Sequence, residues 1–301
     1  MSGLTRKGAS ASPTGATIRI VTAFVMYFGL LAAVGLAISR VSTPNVLSIL
    51  PGQVPALCGI AAVVFVSARV FDIRPAAYGL NVDRQWITDL FGGILLGVVY
   101  QGIVTVAIIA TGAGMIVDRW SMGVFDAQID LAVAVGATVV AFMIVALGED
   151  LLFRGVLIRE FTTGLTSRNL SRTSATGVAV VASALLFGSL HLNAGAEGLS
   201  TGVVVLQAVV GGLYFGIAYV ITDSLALPVG IHLSTNLWTT VVFGQPDSGY
   251  PTAFRLTRQI NLGADLIVLL MLPAGVLIAA VFILVRATRG EIPELSLEPL
   301  T

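Results

Sequence analysis

Six polar side chains interrupt apolar stretches of this chain, and their types are those that carry out acid–base and hydrolytic chemistry. They are Glu149, Asp150, Arg154, His191, His232 and Asn236. The two histidines are the only ones in the sequence. An ionisable side chain at bilayer depth is costly, so such residues usually face a bundle interior or a watery cavity and mark function. The sequence therefore predicts a polar site built within apolar helices.

The spacing of these residues defines two polar helix faces. Asp150 and Arg154 are four residues apart, which makes them neighbours on one helix face and favours an ion pair. Glu149 is rotated by about 100° from Asp150, so the two carboxylates are expected to take different roles. The alternative pairing of Glu149 with Arg154, five residues apart, is geometrically poorer. His232 and Asn236, again four apart, place an imidazole and an amide on one face.

These groups can support hydrolysis within the membrane. A carboxylate in an apolar pocket can take a proton from water, and a nearby histidine can orient that water. An imidazole and an amide can donate hydrogen bonds to a developing oxyanion. Two histidines and a carboxylate also make a ligand set for catalytic zinc. If a divalent metal such as zinc is bound, the candidate ligands are Glu149, His191 and His232, although their spacing is not H-E-x-x-H.

The composition predicts an integral membrane protein that lies in a lipid bilayer. Hydrophobic residues make up 56% of the chain and charged residues only 11%, whereas soluble domains average about 25% charged residues. The formal net charge is +0, so no basic field is present to attract nucleic acid, and nucleic acid is excluded as a partner. The single cysteine, Cys58, cannot form an intrachain disulfide.

Hydropathy indicates about eight transmembrane segments, each near the roughly 17–25 residues that cross a bilayer as a helix. They are residues 20–38, 54–70, 90–110, 131–158, 177–190, 201–221, 225–243 and 266–285. The fifth is short and is expected to extend through His191. Because the segments lack the period-2 alternation of barrel strands, the predicted fold is an all-α polytopic bundle. The distribution of Lys and Arg favours both termini in the cytoplasm.

Three segments resemble the motifs of the CPBP intramembrane proteases, the CAAX protease and bacteriocin-processing family. Residues 149–154 (EDLLFR) are similar to E-E-x-x-x-R, residues 187–191 (FGSLH) to F-x-x-x-H, and residues 232–236 (HLSTN) to H-x-x-x-N. The motifs occur in the same order as in the family. This family includes the Ras-converting CAAX endopeptidases and bacterial members linked to bacteriocin immunity or peptide maturation. The resemblance covers residues 131–243.

The resemblance implies an intramembrane endopeptidase, glutamate-dependent or metallo-, that cleaves a peptide or protein in or at the membrane. Carried over residue by residue, it implies that Glu149 activates the attacking water with help from His191. His232 and Asn236 would stabilise the oxyanion of the scissile carbonyl. The implied location is the bacterial cytoplasmic membrane, and the implied reaction is CAAX-type processing or bacterial peptide maturation.

One position departs from the family pattern. Asp150 stands where the family usually has Glu, and its shorter side chain favours pairing with Arg154 over contact with substrate or metal. Arg154 would hold the geometry of the local carboxylates. Phe187 is interpreted as packing beside His191.

Two other function classes use the same residues. A proton-coupled transporter would use Glu149, Asp150 and the histidines as a relay, although transporters often carry paired halves and no internal repeat is evident here. A non-catalytic immunity or scaffold protein would retain the fold alone.

The predicted organisation has five parts. They are a polar N-terminal tail at 1–19, N-terminal transmembrane helices at 20–128, a CPBP-like catalytic core at 129–245, an outer loop with the last helix at 246–285, and a C-terminal tail at 286–301. The connection 162–176 is expected to be a cytoplasmic loop, and the C-terminal tail is expected to be solvated. The pairs Gly93/Gly97 and Gly212/Gly216 are expected at close helix contacts.

Overall fold

The computed structural model describes residues 12–40, 51–121, 130–194, 199–244, 250–260, 267–292 and 294–300. In that part of the chain the α-helices are α1 (Pro13–Ser39), α2 (Val54–Arg69), α3 (Arg84–Ala110), α4 (Leu131–Asp150), α5 (Arg159–Thr166), α6 (Arg172–Ser189), α7 (Thr201–Thr222), α8 (Ala226–Leu237) and α9 (Leu272–Arg289). Three π-helical segments adjoin them: Leu151–Ile158 joins α4 to α5, Trp238–Val242 extends α8, and Ile267–Met271 leads into α9. The predicted all-α membrane class is confirmed.

Within the described residues, 5 helices are long and apolar enough to cross a membrane. They are Pro13–Ser39, Arg84–Ala110, Leu131–Thr166, Thr201–Thr222 and Ile267–Arg289. This is fewer than the roughly eight predicted from segment length. The other three predicted spans are shorter or more polar helices: α2 has 16 residues, α6 has 18 with a polar first turn, and α8 has 12 before its π-helical extension.

The helix boundaries differ from the prediction at two places on α5 and α6. The helix α6 ends at Ser189 and does not extend through His191, which lies in the turn that follows. The predicted loop at 162–176 is mostly helical, and only residues 167–171 connect α5 to α6. The side chain of Ser171 explains this start, because it accepts a hydrogen bond from the backbone N–H of Ser174 and so caps the helix.

Glycines lie at two close helix crossings, as their spacing predicted. A Cβ at Gly93 would overlap the carbonyl oxygen of Leu227 on α8, so the backbones of α3 and α8 are in contact. A Cβ at Gly212 would lie 2.7 Å from the Cα of Ala184 on α6. Small residues permit this approach, which brings the helices that carry the second and third motifs against their neighbours.

A small three-stranded sheet covers one end of the bundle. Its order is β1 (Ile116–Ser121), β3 (Thr252–Leu256) and β2 (Phe243–Gly244). The strands β1 and β3 are antiparallel, with Ile116 opposite Leu256, whereas β2 and β3 are parallel. This sheet was not predicted from the sequence, because its strands are short and lie between apolar helices.

The C-terminal tail, which was predicted to be solvated, has its glutamate residues exposed but is packed against the bundle at two leucines. Leu297 is 2% exposed and Leu300 is 9% exposed. The backbone N–H of Leu297 donates to the hydroxyl of Thr176 at 3.1 Å, and that of Leu300 donates to Thr163 at 2.9 Å. The tail therefore ties together the ends of α5 and α6 that face each other across the short connection.

Candidate active site

The first motif lies where an α-helix changes into a π-helix. Glu149 and Asp150 are the last residues of α4, and Arg154 lies in the π-helical segment Leu151–Ile158. Such π-helical turns within α-helices frequently occur at functional sites. Asp150 and Arg154 are fully buried, and Arg154 Nη1 is 3.1 Å from Asp150 Oδ1. The predicted pairing of these two residues is confirmed.

Arg154 is enclosed by aromatic rings. Its guanidinium carbon lies 4.3 Å from the ring centroid of Phe187, 4.9 Å from that of Phe215 and 5.9 Å from that of Phe153. Its Nε and Nη2 atoms are buried and make no hydrogen bond within the described residues. Cation–π attraction is strongest where the cation is desolvated. The rings and the Asp150 carboxylate therefore hold this charge in place.

His232 connects the two carboxylates. Its Nδ1 is 3.3 Å from Asp150 Oδ2, and its Nε2 is 3.6 Å from Glu149 Oε2. The ring stacks on Phe215 with a centroid separation of 4.8 Å. A carboxylate on one ring nitrogen fixes the orientation of an imidazole and directs the other nitrogen. The Glu149 side chain is 31% exposed and that of His232 only 6%, so Glu149 is the most exposed member of this group.

His191 and Asn236 lie at the border of this group. His191 Nδ1 is 3.0 Å from the carbonyl oxygen of Phe187, and the two rings are in contact at 5.0 Å. The Phe187 ring also meets His232, at 6.0 Å, so it lies against both imidazoles. Within the described residues, His191 makes no hydrogen bond or ion pair with Glu149. Asn236 is half-buried, one turn beyond His232 on α8.

Two of the three candidate metal ligands, Glu149 and His232, are in contact, but no set of three is assembled within the described residues. In the part of the chain that the structure describes, no group of three or more His, Cys, Asp or Glu side chains is arranged to hold a metal ion. His232 directs one nitrogen to Asp150 and the other to Glu149, while His191 faces the Phe187 backbone. We derive no reaction step through a metal from this arrangement.

Phe215 was missed by the sequence analysis. It lies on α7, stacks on His232 and faces Arg154. The chain contains 14 phenylalanines, and no spacing distinguishes this one from those that face lipid. Only the crossing of α7 with the motif helices reveals it.

A second buried ion pair was also missed. Glu160, at the start of α5, accepts two hydrogen bonds from Arg19 of α1 and one from the Tyr78 hydroxyl, each at 2.7–2.8 Å. Burial, and then the neighbouring Glu160 carboxylate, raise the pKa of Tyr78 above its usual range, so the hydroxyl remains a donor. This pair anchors α1 to the helix that carries the first motif.

Comparison with known proteins identifies one region of the chain. Residues 131–238 match the family described as Type II CAAX prenyl endopeptidase Rce1-like. The matched segment starts at the first residue of α4 and ends just after α8, so it contains the Glu149, His191 and His232 motifs. No curated protein and no solved structure matches the chain.

Proposed function

Because residues 131–238 match the family described as Type II CAAX prenyl endopeptidase Rce1-like, we propose that this membrane protein is an intramembrane endopeptidase that cleaves a membrane-associated peptide or protein. The observation that carries the proposal is the connected group Arg154–Asp150–His232–Glu149. It ends in one partly exposed carboxylate, that of Glu149, and the remaining members are buried. A structural ion pair alone would not need this exposed fourth member.

Glu149 is assigned the role of general base toward the attacking water. A general base must lie within hydrogen-bond reach of the proton that it takes, and Glu149 is the exposed carboxylate of the group. His191 is assigned a supporting role. Its Nδ1 faces the carbonyl oxygen of Phe187, to which an N–H at that position donates. The Nε2 of His191 is then an acceptor that can orient the same water.

His232 and Asn236 are assigned to the oxyanion of the scissile carbonyl. Asp150 accepts from Nδ1 of His232, so Nε2 is directed toward Glu149 and the space beside it. When both ring nitrogens carry protons, the four charges of the group sum to zero, which lowers the cost of burying them. The Nε2–H then donates to the oxyanion, and the amide of Asn236 is the second donor.

One experiment tests both the substrate class and the dependence of cleavage on a divalent metal. Detergent-purified full-length protein is incubated with fluorescent peptides, farnesylated and unmodified, each with and without a chelator. Cleavage of farnesylated peptides alone would favour CAAX-type processing, and cleavage of unmodified peptides would favour bacterial peptide maturation. Loss of cleavage with chelator, restored by zinc, would identify a metalloprotease.

The deciding variant is Glu149→Gln, which keeps the shape of the side chain and removes its basicity. We expect the rate to fall by at least about 100-fold, because proton transfer by a positioned base contributes about that much. The matched control is Glu291→Gln, the same exchange at an exposed position beyond α9, which should leave the rate unchanged. Equal rates for Glu149→Gln and wild type would refute the role of Glu149. Folded protein that cleaves no peptide would favour the non-catalytic immunity or scaffold alternative.

A further inference from the structure

Tyr27 reaches the catalytic group from a helix outside the matched segment. It lies on α1, is 4% exposed, and packs into a gap left by two glycines. A Cβ at Gly59 of α2 would lie 2.8 Å from the Tyr27 ring, and a Cβ at Gly148 of α4 would overlap the Tyr27 hydroxyl oxygen. Any larger residue at Gly148 would displace this hydroxyl.

Gly148 immediately precedes Glu149. The Tyr27 hydroxyl therefore lies beside the backbone that carries Glu149. Nothing in the three sequence motifs indicates this contact, because Tyr27 is more than a hundred residues away from them in the chain.

In the described part of the chain, few polar groups contact the Glu149 side chain. Its single polar contact within the described residues is the 3.6 Å approach of its Oε2 to His232 Nε2. A long side chain loses rotamer freedom when it is fixed, and a base that is not fixed in its reactive geometry loses rate. A neighbouring hydroxyl donor would supply this restraint.

We propose that Tyr27 is a positioning residue for Glu149. Its hydroxyl donates a hydrogen bond to the Glu149 carboxylate, directly or through one water, when Glu149 takes its reactive geometry. The inference rests on the proposed function, since it assigns a partner to the proposed base. It adds a residue of α1 to a site that the family match confines to residues 131–238.

Tyr27→Phe separates this role from simple packing, because it keeps the ring in the glycine gap and removes only the hydroxyl. We expect kcat to fall about tenfold, as expected for loss of a hydrogen bond to a charged group, with little change in KM. The control is Tyr219→Phe, at another buried tyrosine, which should change neither.

A second readout does not depend on cleavage. An infrared difference spectrum follows the carboxyl stretch of Glu149, which is assigned as the band lost in Glu149→Gln. Tyr27→Phe and Gly148→Ala, which displaces the hydroxyl but keeps it, should both shift this band, because the carboxylate loses a hydrogen-bond donor. An unchanged band position in both variants would overturn the positioning role, whether or not any peptide is cleaved. If wild type cleaves no peptide but the band shifts in the variants, the proposed protease function fails and the contact between Tyr27 and Glu149 is supported.

Discussion

Asp150 lies at the centre of the polar group because its two carboxylate oxygens face different partners. Its Oδ1 is 3.1 Å from Arg154 and its Oδ2 is 3.3 Å from His232. The shorter side chain reaches both, since Arg154 belongs to the same helix and α8 brings His232 close. Asp150, which stands where the similar family usually has Glu, therefore contacts both Arg154 and His232.

Asp150→Asn should damage both stability and catalysis. The exchange keeps the shape of the side chain but leaves the buried Arg154 charge uncompensated, and breaking a buried pair in this way costs about 3–5 kcal/mol. Thermal unfolding in detergent should show a clear decrease in Tm, and peptide cleavage should be lost. The comparison variant is Asp83→Asn, at the N-cap of α3, where Asn caps about as well as Asp. Equal Tm values for the two variants would contradict the central role of Asp150.

At the scale of elements, the crossing of α3 with α8 sets the position of His232. A Cβ at Gly97 would overlap the hydroxyl of Ser234 and lie 2.9 Å from the carbonyl oxygen of Ile231, the residue before His232. The backbone of α8 therefore rests directly on α3. A helix that carries no motif residue positions one that does.

Gly97→Ala should lower activity by moving α8. Overpacking of a tight contact costs about 1–3 kcal/mol, and the shift is transmitted to His232 through Ile231. The control is Gly102→Ala on the same helix, where the nearest atom to a new Cβ is 3.9 Å away and no displacement is needed. Cleavage rate and Tm measured for both variants check this. An equal loss of activity in Gly97→Ala and Gly102→Ala would indicate a general effect of the exchange on α3. It would contradict a specific role of the crossing with α8.

The features that follow a simple sequence pattern could be predicted from the sequence. Apolar length located the long spans, the four-residue spacing gave the Asp150–Arg154 pair, and glycine spacing marked the crossings of α3 and α7. The sequence was not sufficient for features that depend on backbone hydrogen-bond register or on distant partners. The π-helical segment after Asp150 and the burial of Phe215 arise only when the helices pack together, and hydropathy does not encode either.

For the whole molecule, the outer surface is as informative as the site. Large apolar side chains on several helices are strongly exposed, among them Phe65 at 61%, Val106 at 67% and Ile283 at 70%. A soluble protein rarely exposes contiguous apolar surface on this scale. This apolar surface is suited to contact with lipid acyl chains, and the polar group around Asp150 is buried within the helix bundle. The C-terminal tail packs against α5 and α6 through Leu297 and Leu300.

Leu297→Ala should destabilise the whole bundle. Truncation of a buried leucine costs about 2–5 kcal/mol, and Leu297 belongs to the main hydrophobic core. Leu295→Ala is the matched control, because Leu295 is 43% exposed. Thermal unfolding in detergent should show a lower Tm for Leu297→Ala alone. A tail that does not contribute to stability would give two variants with the Tm of wild type.

The packed tail has a practical consequence for work with this protein. An affinity tag or a fluorescent reporter fused after Thr301 would begin two residues beyond the buried Leu300. Such a fusion would weaken the hydrogen bond from the Leu300 N–H to the Thr163 hydroxyl. The packing of the tail against α5 and α6 would then be less stable. A low yield of a C-terminally tagged protein would then be caused by the position of the tag. A flexible spacer between Thr301 and the tag should restore the yield.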